Sequence, residues 1–553
     1  MYSLGKPSQI LRSTTKRVEK RNAKKSNIKA AKVVAEIIKT SLGPCGMNKM
    51  IVDEFGAVTI TNDGATILDK VDVQHPAAKA MVEVAKAVDK EVGDGTTSAV
   101  ILAGALLEKA EELLDKKVHP NTIINGYKEA EKRAQETLKA MSIKINPKDK
   151  NFLIEVAKAS MLSKLTSSEA NHLAKLVVEA ILSIVEEQNG KFKVDVGDVI
   201  INKRTGGKIK DSHLIRGMVI DQEVVHSGMP KKIVNAKIAL LNCQLETEHT
   251  YYDAKIKISG PKQFQMFREE EEKTLSEKVD KIVKTGANVV FCQKAIDDIT
   301  QYYLANAGIL AVHRVNEKNM VYLSKITHGT IVTNIDDLTP KDLGFAQLVE
   351  ERKVDDKDIS LFKNWVFIEG CTNSKSVTLY MRGGTKKVLE DAERAVRDAL
   401  YVVKDVMTKP IVVPGAGAPE IEMALKLNDY ANKVTGKKQL AIKKFAEALE
   451  TIPFTLAENA GMDVIRTILE LKARHKKGKK SLGINVFAGR IEDARSFKIY
   501  DPLSVKEQIL SIATEAAIMI LRVDRVIPII KKPEIKPITA GEIPESEYDK
   551  PKR

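Results

Sequence analysis

The chain has few cysteines, few aromatic residues and no long apolar run. Its 553 residues include only 4 Cys, with no CxxC pair: Cys45, Cys243, Cys292 and Cys371. The histidines form neither an HExxH motif nor a Cys2His2 spacing, so we expect no disulfide framework and no structural zinc site. No stretch reaches the ~18 consecutive apolar residues of a membrane span. The basic N-terminus lacks an apolar signal segment, and the sequence therefore predicts a cytoplasmic protein with no membrane span.

The net charge of +15 is the one unusual number in the composition. A basic excess is compatible with nucleic acid binding. However, the basic clusters are confined to the N-terminus, residues 472–480 and the C-terminal tail, and acidic residues are interleaved almost everywhere else. Aromatic residues make up 5% and do not alternate with the basic runs, so stacking platforms for bases are not evident. Solvated lysine-rich faces explain the charge better than a nucleic acid partner.

The hydrophobic pattern divides the chain into three zones. Residues 27–139 and 385–523 have mainly helical periodicity, and residues 99–107 are apolar nearly all round, which predicts a buried helix. At ~150 residues per domain, the length predicts three or four domains. Helical ends around a mixed middle suggest one domain interrupted by an insertion, although periodicity does not decide whether the ends meet.

The middle zone carries short β-branched runs that predict strands. Val194-Asp195-Val196 is one such run, followed by a turn signal and a second run at residues 199–201. Further along, residues 287–292, 297–307 and 309–313 read as strand, helix and strand. This β-α-β rhythm predicts an α/β module.

The most informative segment precedes the apolar helix and is rich in glycine and hydroxyl groups: Gly93-Asp94-Gly95-Thr96-Thr97-Ser98. Glycines let the backbone approach an anion, and a helix N-terminus offers unpaired N–H groups and the positive end of the helix dipole. The hydroxyls can donate further hydrogen bonds, and Asp94 can ligate Mg²⁺. No GxxxxGK[ST] motif occurs, so this is not a Walker A loop. A plain helix start capped by Asp94 explains the same residues equally well.

Three other turns are weak signals individually: Thr40-Ser41-Leu42-Gly43-Pro44, Thr61-Asn62-Asp63-Gly64 and Pro414-Gly415-Ala416-Gly417-Ala418. Together with the Gly93 segment they resemble a group II chaperonin subunit, most closely an archaeal thermosome subunit. The resemblance runs from about residue 13 to residue 526 in the family's order. It also includes Val73-Gln74-His75-Pro76-Ala77-Ala78-Lys79, Val224-Val225-His226-Ser227-Gly228-Met229-Pro230 and Arg382-Gly383-Gly384-Thr385.

The resemblance implies the multidomain α and α/β chaperonin fold. Its parts would be a mainly helical equatorial ATP-binding domain at residues 1–148 and 405–526, and an α/β intermediate hinge domain at 149–217 and 370–404. An α/β apical substrate-binding and lid domain would follow at 218–369, with a flexible tail at 527–553. The resemblance further implies a double ring of eight or nine subunits per ring, made of copies or paralogues, that uses ATP and Mg²⁺ to fold enclosed unfolded proteins.

The same resemblance implies roles for particular residues. Asp94 would bind Mg²⁺, and Asp63 and Asp398 would position and polarise the attacking water. Lys164 would reach toward the γ-phosphate, although a solvated lysine is the plainer interpretation. The remaining nucleotide contacts would be Leu42, Gly43, Pro44, Gly95, Thr96, Thr97, Ser98, Gly417 and the ribose-binding Asp501.

Asp398 has an alternative interpretation, since an aspartate four residues after Arg394 on a helix forms an exposed ion pair worth only ~0.3–0.5 kcal/mol. Family resemblance also implies a built-in lid near residues 246–281, with apolar residues at helical spacing. An ordinary amphipathic surface helix would show the same pattern.

The match weakens at Cys45, Asn48 and Ala416, where the family usually has a basic residue, an aspartate and a glycine. Loss of a cation near the phosphates predicts an active but slow ATPase, and suggests one of several paralogues in a mixed ring. Two other classes stay open at this point: a nucleic-acid-binding scaffold, and a filament-forming structural protein with weak nucleotide binding.

Overall fold

The computed structural model describes residues 18–91, 93–188, 190–246, 261–354, 363–371 and 377–526. The predicted flexible tail at residues 527–553 lies outside these ranges, and so does the 247–260 part of the predicted lid. Helices dominate both ends of the described chain, and most strands lie in its middle. Of the helices in these ranges, none combines the length and the apolar character needed to cross a lipid bilayer.

Elements are numbered along the chain. The first part contains β1 (Val18–Glu19), α1 (Lys20–Lys39), β2 (Lys49–Val52), β3 (Val58–Thr61), α2 (Gly64–Lys70), α3 (Pro76–Glu91), α4 (Thr96–Asp115), α5 (Pro120–Met141) and β4 (Ile143–Lys144). The middle contains α6 (Lys150–Met161), α7 (Ser167–Ile184), β5 (Glu186–Gln188), β6 (Lys191–Lys193), β7 (Val199–Thr205), β8 (His213–Ile215), β9 (Gly217–Ile220), β10 (Lys232–Leu241), α8 (Pro261–Thr285), β11 (Val289–Cys292), α9 (Asp298–Asn306), β12 (Leu310–Val312), α10 (Glu317–Thr327), β13 (Ile331–Val332), β14 (Gly344–Val354) and β15 (Lys363–Glu369). The last part contains β16 (Val377–Gly383), α11 (Lys386–Thr408), β17 (Ile411–Pro414), α12 (Ala418–Ala431), α13 (Lys437–Leu449), α14 (Thr451–Asn459), α15 (Val464–Lys476), β18 (Leu482–Asn485), β19 (Arg490–Asp493), β20 (Tyr500–Pro502), α16 (Leu503–Arg522) and β21 (Arg525–Val526).

One hydrophobic core combines helices from both ends of the chain. It holds buried residues between Ile28 and Leu138 and again between Val413 and Leu521. Helix α4 packs against α1 and α16, and α5 packs against α13. The rings of Tyr127 on α5 and Phe445 on α13 meet edge to face with 5.4 Å between their centroids. The two helical zones of the sequence therefore form one packed unit, which we call the helical core.

Helix α4 lies in the middle of this helical core. Every residue from 99 to 107 is buried, as the all-apolar pattern predicts. A helix surrounded by packed neighbours is held rigidly, because protein interiors are nearly as dense as organic crystals. The direction in which the α4 N-terminus points is thus set by the contacts of α1, α13 and α16.

The middle of the chain forms an α/β unit around a seven-stranded sheet. The strand order is β12-β11-β10-β14-β15-β9, with β13 paired to β10. Strands β10, β11 and β12 are parallel, with α8 and α9 between them, because parallel neighbours need a crossover connection. The predicted strand–helix–strand at residues 287–313 is confirmed as β11, α9 and β12.

A third core is assembled from segments on both sides of that sheet. Helices α6, α7 and α11 pack together and cover the three-stranded sheet β7-β16-β8. Here α6, α7, β7 and β8 precede the seven-stranded sheet in the sequence, and β16 and α11 follow it. Since α11 leads directly into the second half of the helical core, this third core connects the other two.

The β-branched run Val194-Asp195-Val196 predicts a strand, and that prediction is wrong. The structure has a short 3₁₀ turn at Val196–Asp198 instead. The Asp195 carboxylate accepts a hydrogen bond from the N–H of Gly197 at 2.9 Å. This is the local turn that aspartate forms in competition with strand pairing, and β7 begins only after it.

The Tyr127–Phe445 contact gives a test of the packing between the two chain ends. We expect Phe445→Ala to lower the free energy of unfolding by about 3–5 kcal/mol, because it leaves a cavity in a fully buried site. Guanidinium denaturation followed by circular dichroism measures the change. The control Ile465→Ala removes a side chain that is 72% exposed and should change the free energy by less than about 0.5 kcal/mol. Equal effects of the two substitutions would contradict a central role for this contact.

Candidate active site

The residues singled out in the sequence converge on two adjoining cavities. A cavity of about 200 Å³ is lined by all of them except one: Leu42, Gly43, Pro44, Asp63, Asp94, Gly95, Thr96, Thr97, Ser98, Lys164, Asp398 and Asp501. The exception, Gly417, lines a second cavity of about 420 Å³. The two cavities share Asp94, Gly95 and Asp501 among their walls.

The N-terminus of α4 forms one wall of the smaller cavity. Gly95 is the N-cap residue and has a left-handed backbone with φ 82°. A Cβ atom at this position would lie 2.4 Å from Cδ1 of Ile509 on α16, so a larger residue would have to displace that side chain as well as adopt a strained backbone. Asp94 does not cap α4; its Oδ1 instead accepts the N–H of Gly95 at 2.6 Å. The first-turn N–H groups of α4, which have no intrahelical acceptor, therefore point into a cavity, and this is the usual anion-binding arrangement.

A buried ion cluster lies opposite that helix end. The Nζ atom of Lys164 is 3.1 Å from Oδ1 of Asp63 and 2.6 Å from Oδ2 of Asp398. The Lys164 side chain is only 7% exposed, so it is not the solvated lysine of the plainer interpretation. Asp398 pairs with Lys164, whereas Arg394 pairs with Asp391 at 3.1 Å. The exposed Arg394–Asp398 pair is thus not formed.

The two carboxylates of this cluster differ in acidity. Burial raises the pKa of Asp398 to about 8, against the attraction of Lys164. Burial would also raise the pKa of Asp63, but Lys164 and hydrogen bonds from Thr66 hold that pKa below its ordinary value. Burial disfavours the Lys164 ammonium, yet the two carboxylates outweigh burial and hold its pKa above the ordinary value. Asp63 is therefore ionised while Asp398 readily takes a proton, a division typical of acid–base sites.

Local hydrogen bonds fix the position of Asp63. Its Oδ2 accepts the N–H and hydroxyl of Thr66 at 2.9 and 2.6 Å, which caps α2. Its own N–H donates to Oγ1 of Thr61 at 3.1 Å, and Arg394 on α11 donates to the same oxygen at 3.1 Å. Arg394 thus ties α11 to the strand before Asp63, one helical turn from Asp398. No local pattern indicates this contact, because Thr61 lies more than three hundred residues from Arg394.

At the other end of the site, Asp501 belongs to a second buried ion cluster. Nζ of Lys506 lies 3.0 Å from Oδ2 of Asp501 and 2.8 Å from Oε1 of Glu420. Burial disfavours the Lys506 ammonium, but Asp501 and Glu420 hold its pKa well above the ordinary value. Sequence reasoning missed Lys506 and Glu420, since nothing distinguishes one lysine among 89 basic residues.

The larger cavity is mostly apolar. It is lined by aliphatic and aromatic side chains from α14, α16 and the β18–β19 hairpin, among them Ile452, Leu456, Ile484, Val486, Phe487 and Ile509. Its glycine-rich edge contains Ala416 with φ 57° and Gly417 with φ 80°. Alanine in this left-handed region costs roughly 1 kcal/mol relative to glycine. The Ala416 departure from the family pattern is thus accommodated with strain.

The donor set fits a metal ion that arrives with a phosphate group. Within the described ranges, no three His, Cys, Asp or Glu side chains converge closely enough to hold a metal by themselves. Mg²⁺ commonly binds one or two carboxylates, water and substrate phosphates, so a single aspartate beside an anion site suffices. Burial raises the pKa of Asp94, and Asp501 adds to this while the Gly95 N–H opposes it. A cation at Asp94 would relieve that unfavourable burial.

Comparisons with known proteins all find the same kind of relative. A sequence model of the TCP-1/cpn60 chaperonin family matches residues 34–531. The chain is 53% identical to a thermosome subunit of Pyrococcus horikoshii, over 95% of this chain and 94% of that protein. It is 50% identical to the thermosome beta subunit and 49% identical to the thermosome alpha subunit of Archaeoglobus fulgidus, each over 95% of both chains.

Lys164 gives a test of the ion cluster that is independent of any activity. Lys164→Met would leave two buried carboxylates without a cation, so we expect the free energy of unfolding to fall by about 3–5 kcal/mol. Denaturant titration measures this. In the control Lys498→Met, the lost partner is Glu155 at 3.2 Å in an ion pair whose lysine is 60% exposed, and the change should stay below about 1 kcal/mol. A loss no larger than that of the control would contradict the assigned role of Lys164.

The raised pKa of Asp398 predicts a pH dependence of stability. Between its ordinary pKa of 3.8 and its folded pKa of about 8, native Asp398 holds a proton that the unfolded chain has released. The free energy of unfolding should therefore fall as pH rises through this window, by at most about 1.4 kcal/mol per unit, and level off above it. Asp398→Asn should remove this contribution. Urea denaturation of both proteins across the window measures it, and a constant difference between them would overturn the prediction.

Proposed function

Because the chain belongs to the TCP-1/cpn60 chaperonin family, we propose that its two cavities form one ATP site and that Asp63 and Asp398 carry out hydrolysis. The chain is a group II chaperonin subunit, an ATP-dependent molecular chaperone for protein folding, and its predicted chaperonin fold is confirmed. Members of this family are ATPases. The observation that supports hydrolysis by this chain is the meeting of two carboxylates on one buried ammonium beside the α4 N-terminus.

The smaller cavity suits the phosphates. Backbone N–H groups of Gly95, Thr96 and Thr97 and the hydroxyls of the α4 first turn can donate to phosphate oxygens, and the helix dipole favours their negative charge. Leu42, Gly43 and Pro44 border the other side of this cavity. The larger, apolar cavity suits the base, with the ribose at the junction that Asp501 lines.

Asp94 is the residue that would hold Mg²⁺. The ion would supply positive charge to the phosphate oxygens as negative charge moves onto the leaving group. Asp94 lies next to the α4 N-terminus, so the metal and the backbone dipoles would act on the same phosphate groups. Asp94 would hold the ion in place, and it transfers no proton itself.

Asp63 and Asp398 would act on the attacking water. Asp63 is fixed by Thr66 and stays ionised, so it can orient the water through a hydrogen bond. Asp398, whose pKa is raised to about 8, accepts a proton more readily than an ordinary aspartate. Lys164 favours the ionised form of both carboxylates. If its ammonium turns to the γ-phosphate, Asp398 loses its counter-ion and becomes the stronger base.

Asp398 would also couple hydrolysis to domain movement. It lies on α11 in the third core, whereas Asp63 belongs to the loop before α2 beside the helical core. A rotation between these cores would separate the two carboxylates. Hydrolysis would then require the closed arrangement, as in other enzymes that are completed by domain closure.

The three packed units of the fold would correspond to the three domains that the family resemblance implies. We propose the helical core as the equatorial domain (residues 1–148 and 405–526), the third core as the intermediate domain (149–217 and 370–404) and the seven-stranded sheet unit as the apical domain (218–369). The lid would include α8, which contains buried Leu275 and Val279 and, about one turn earlier, the exposed acidic residues 269–271.

The chain would work as part of a multi-subunit ring. Relatives named alpha and beta subunits of one organism support a ring shared by paralogues, and we propose two stacked rings of eight or nine subunits around unfolded client proteins. Neither a nucleic-acid scaffold nor a filament protein is favoured by the similarity to thermosome subunits. Slow turnover and a cytoplasmic location stay predictions.

The proposed hydrolysis is tested by replacing each carboxylate with an uncharged amide of nearly the same size and shape. We expect Asp63→Asn and Asp398→Asn to lower kcat by about 10²–10⁴-fold in assembled particles, because each removes a group that orients or deprotonates water. Phosphate release with saturating Mg²⁺ and ATP measures kcat. Nucleotide binding by calorimetry should persist in both variants.

Asp405→Asn is the matched control. Asp405 lies on the same helix as Asp398 and accepts a hydrogen bond from Ser504 at 3.1 Å, outside both cavities. Its substitution should leave kcat within about threefold of the parent. Undiminished turnover in Asp63→Asn and Asp398→Asn, or an equal loss in the control, would refute the assigned mechanism.

A further inference from the structure

The Asp501–Lys506–Glu420 ion cluster has no role in the chemistry above, although it lies in the wall of the larger cavity. Lys506 lines that cavity together with Asp501 and Gly417. Its side chain is 12% exposed and that of Glu420 is 7% exposed, whereas Asp501 is 32% exposed. The cluster therefore has a buried end at Glu420 and an open end at Asp501, where a ligand can reach the carboxylate.

We propose that Lys506 is a positioning residue that holds the Asp501 carboxylate in one orientation and thereby makes the site prefer a ribonucleotide over a deoxyribonucleotide. This inference rests on the proposed nucleotide site. It assigns the discrimination between sugars to a lysine that has Asp501 on one side and Glu420 on the other.

The geometry of Asp501 supports the proposal. Lys506 engages Oδ2 at 3.0 Å, which leaves Oδ1 for a ligand hydroxyl. A carboxylate that is already immobilised loses less conformational entropy on binding, and fixing a mobile side chain costs about 0.5–1.5 kcal/mol. A hydrogen bond from a sugar hydroxyl to a charged acceptor contributes about 1.5–3 kcal/mol. A ligand without that hydroxyl would bury an unpaired carboxylate oxygen, which is the strongest source of discrimination against an analogue.

Glu420 explains why Lys506 stays in place. It lies in the first turn of α12, directly after the Gly417 edge of the cavity. Among the residues that the structure describes, none hydrogen-bonds its buried Oε2 atom. A buried oxygen without a partner costs free energy, so the position is not optimised for stability. The other carboxylate oxygen, Oε1, accepts the 2.8 Å hydrogen bond from Lys506, which ties α12 and the glycine-rich edge to α16 and, through the second contact of Lys506 with Asp501, to β20.

The charge balance gives the same result. Without Lys506, which lies 3.0 Å from Asp501 and 2.8 Å from Glu420, the two carboxylates would have no cation between them and would repel each other. Asp501 would then turn away from Glu420 and lose its fixed orientation. The expected consequence is weaker nucleotide binding together with a loss of sugar discrimination.

The experiment compares the binding of ADP, 2′-deoxy-ADP and 3′-deoxy-ADP by isothermal titration calorimetry of assembled particles. Because Lys506→Met alone leaves the buried Glu420 carboxylate without a cation and can prevent folding, the main variant is Lys506→Met with Glu420→Gln, which removes one charge of each sign. Lys506→Arg keeps the cation. Lys139→Met removes a lysine that is 64% exposed and pairs with Glu507 at 3.5 Å, and it serves as the matched control. Circular dichroism and sedimentation verify folding and assembly.

We expect the parent, the control and Lys506→Arg to bind ADP about 10–100-fold more tightly than at least one deoxy analogue, which is the fold-change of a charged hydrogen bond. In the double variant this ratio should fall below about threefold, with weaker ADP binding. Absence of ADP binding by the parent would instead refute the proposed nucleotide site. A parent that binds ADP but does not discriminate, or a double variant that keeps the parent's ratio, would overturn the role of Lys506 alone.

Discussion

The site depends on the bridge that one buried ammonium makes between two carboxylates. Lys164 contacts Asp63 beside the helical core and Asp398 on α11, so three segments that are distant in the sequence meet at one charge. Neither carboxylate could be buried in its ionised form without a cation, because an unpaired buried charge costs several kcal/mol. The same bridge means that attraction between charges helps to hold α11 in its position relative to the helical core. A change in the partners of Lys164 changes both the acidity of Asp398 and the force that holds α11 in place.

A second lysine has a similar arrangement at the other end of the site. Lys506 lies between Asp501 and Glu420 and connects β20 to α12. The two clusters have different surroundings, however. Lys164 faces a polar cavity next to the α4 N-terminus, whereas Lys506 borders a cavity with largely aliphatic and aromatic walls. A polyanion with an uncharged, hydrophobic end matches this polarity, since phosphates require donors and cations and a base requires apolar surface.

The packing of the helical core gives these charges their fixed positions. Buried α4 begins directly after Gly95, which has a left-handed backbone and lies so close to Ile509 on α16 that an added Cβ atom would be 2.4 Å from Cδ1 of that side chain. The first part of the chain thus supplies the helix end that faces the cavity, and the last part supplies the side chain that packs against its N-cap glycine. This explains why both chain ends are needed for one site.

Much of this could be predicted from the sequence. Local signals were sufficient for the buried helix at residues 99–107, for the β-α-β rhythm at residues 287–313 and for the helix start at the Gly93–Ser98 turn, because periodicity and turn chemistry are properties of neighbouring residues. Resemblance to the chaperonin family added the list of site residues. The strand predicted at residues 194–196 is absent because the Asp195 side chain accepts a hydrogen bond from the nearby backbone, a competition that strand propensity alone does not resolve.

Only the tertiary structure decided that Asp398 pairs with Lys164 and not with Arg394, and that Lys506 lies between two carboxylates. Those pairings depend on distances across the fold between residues far apart in the chain, and on burial, which raises the energetic importance of each charge.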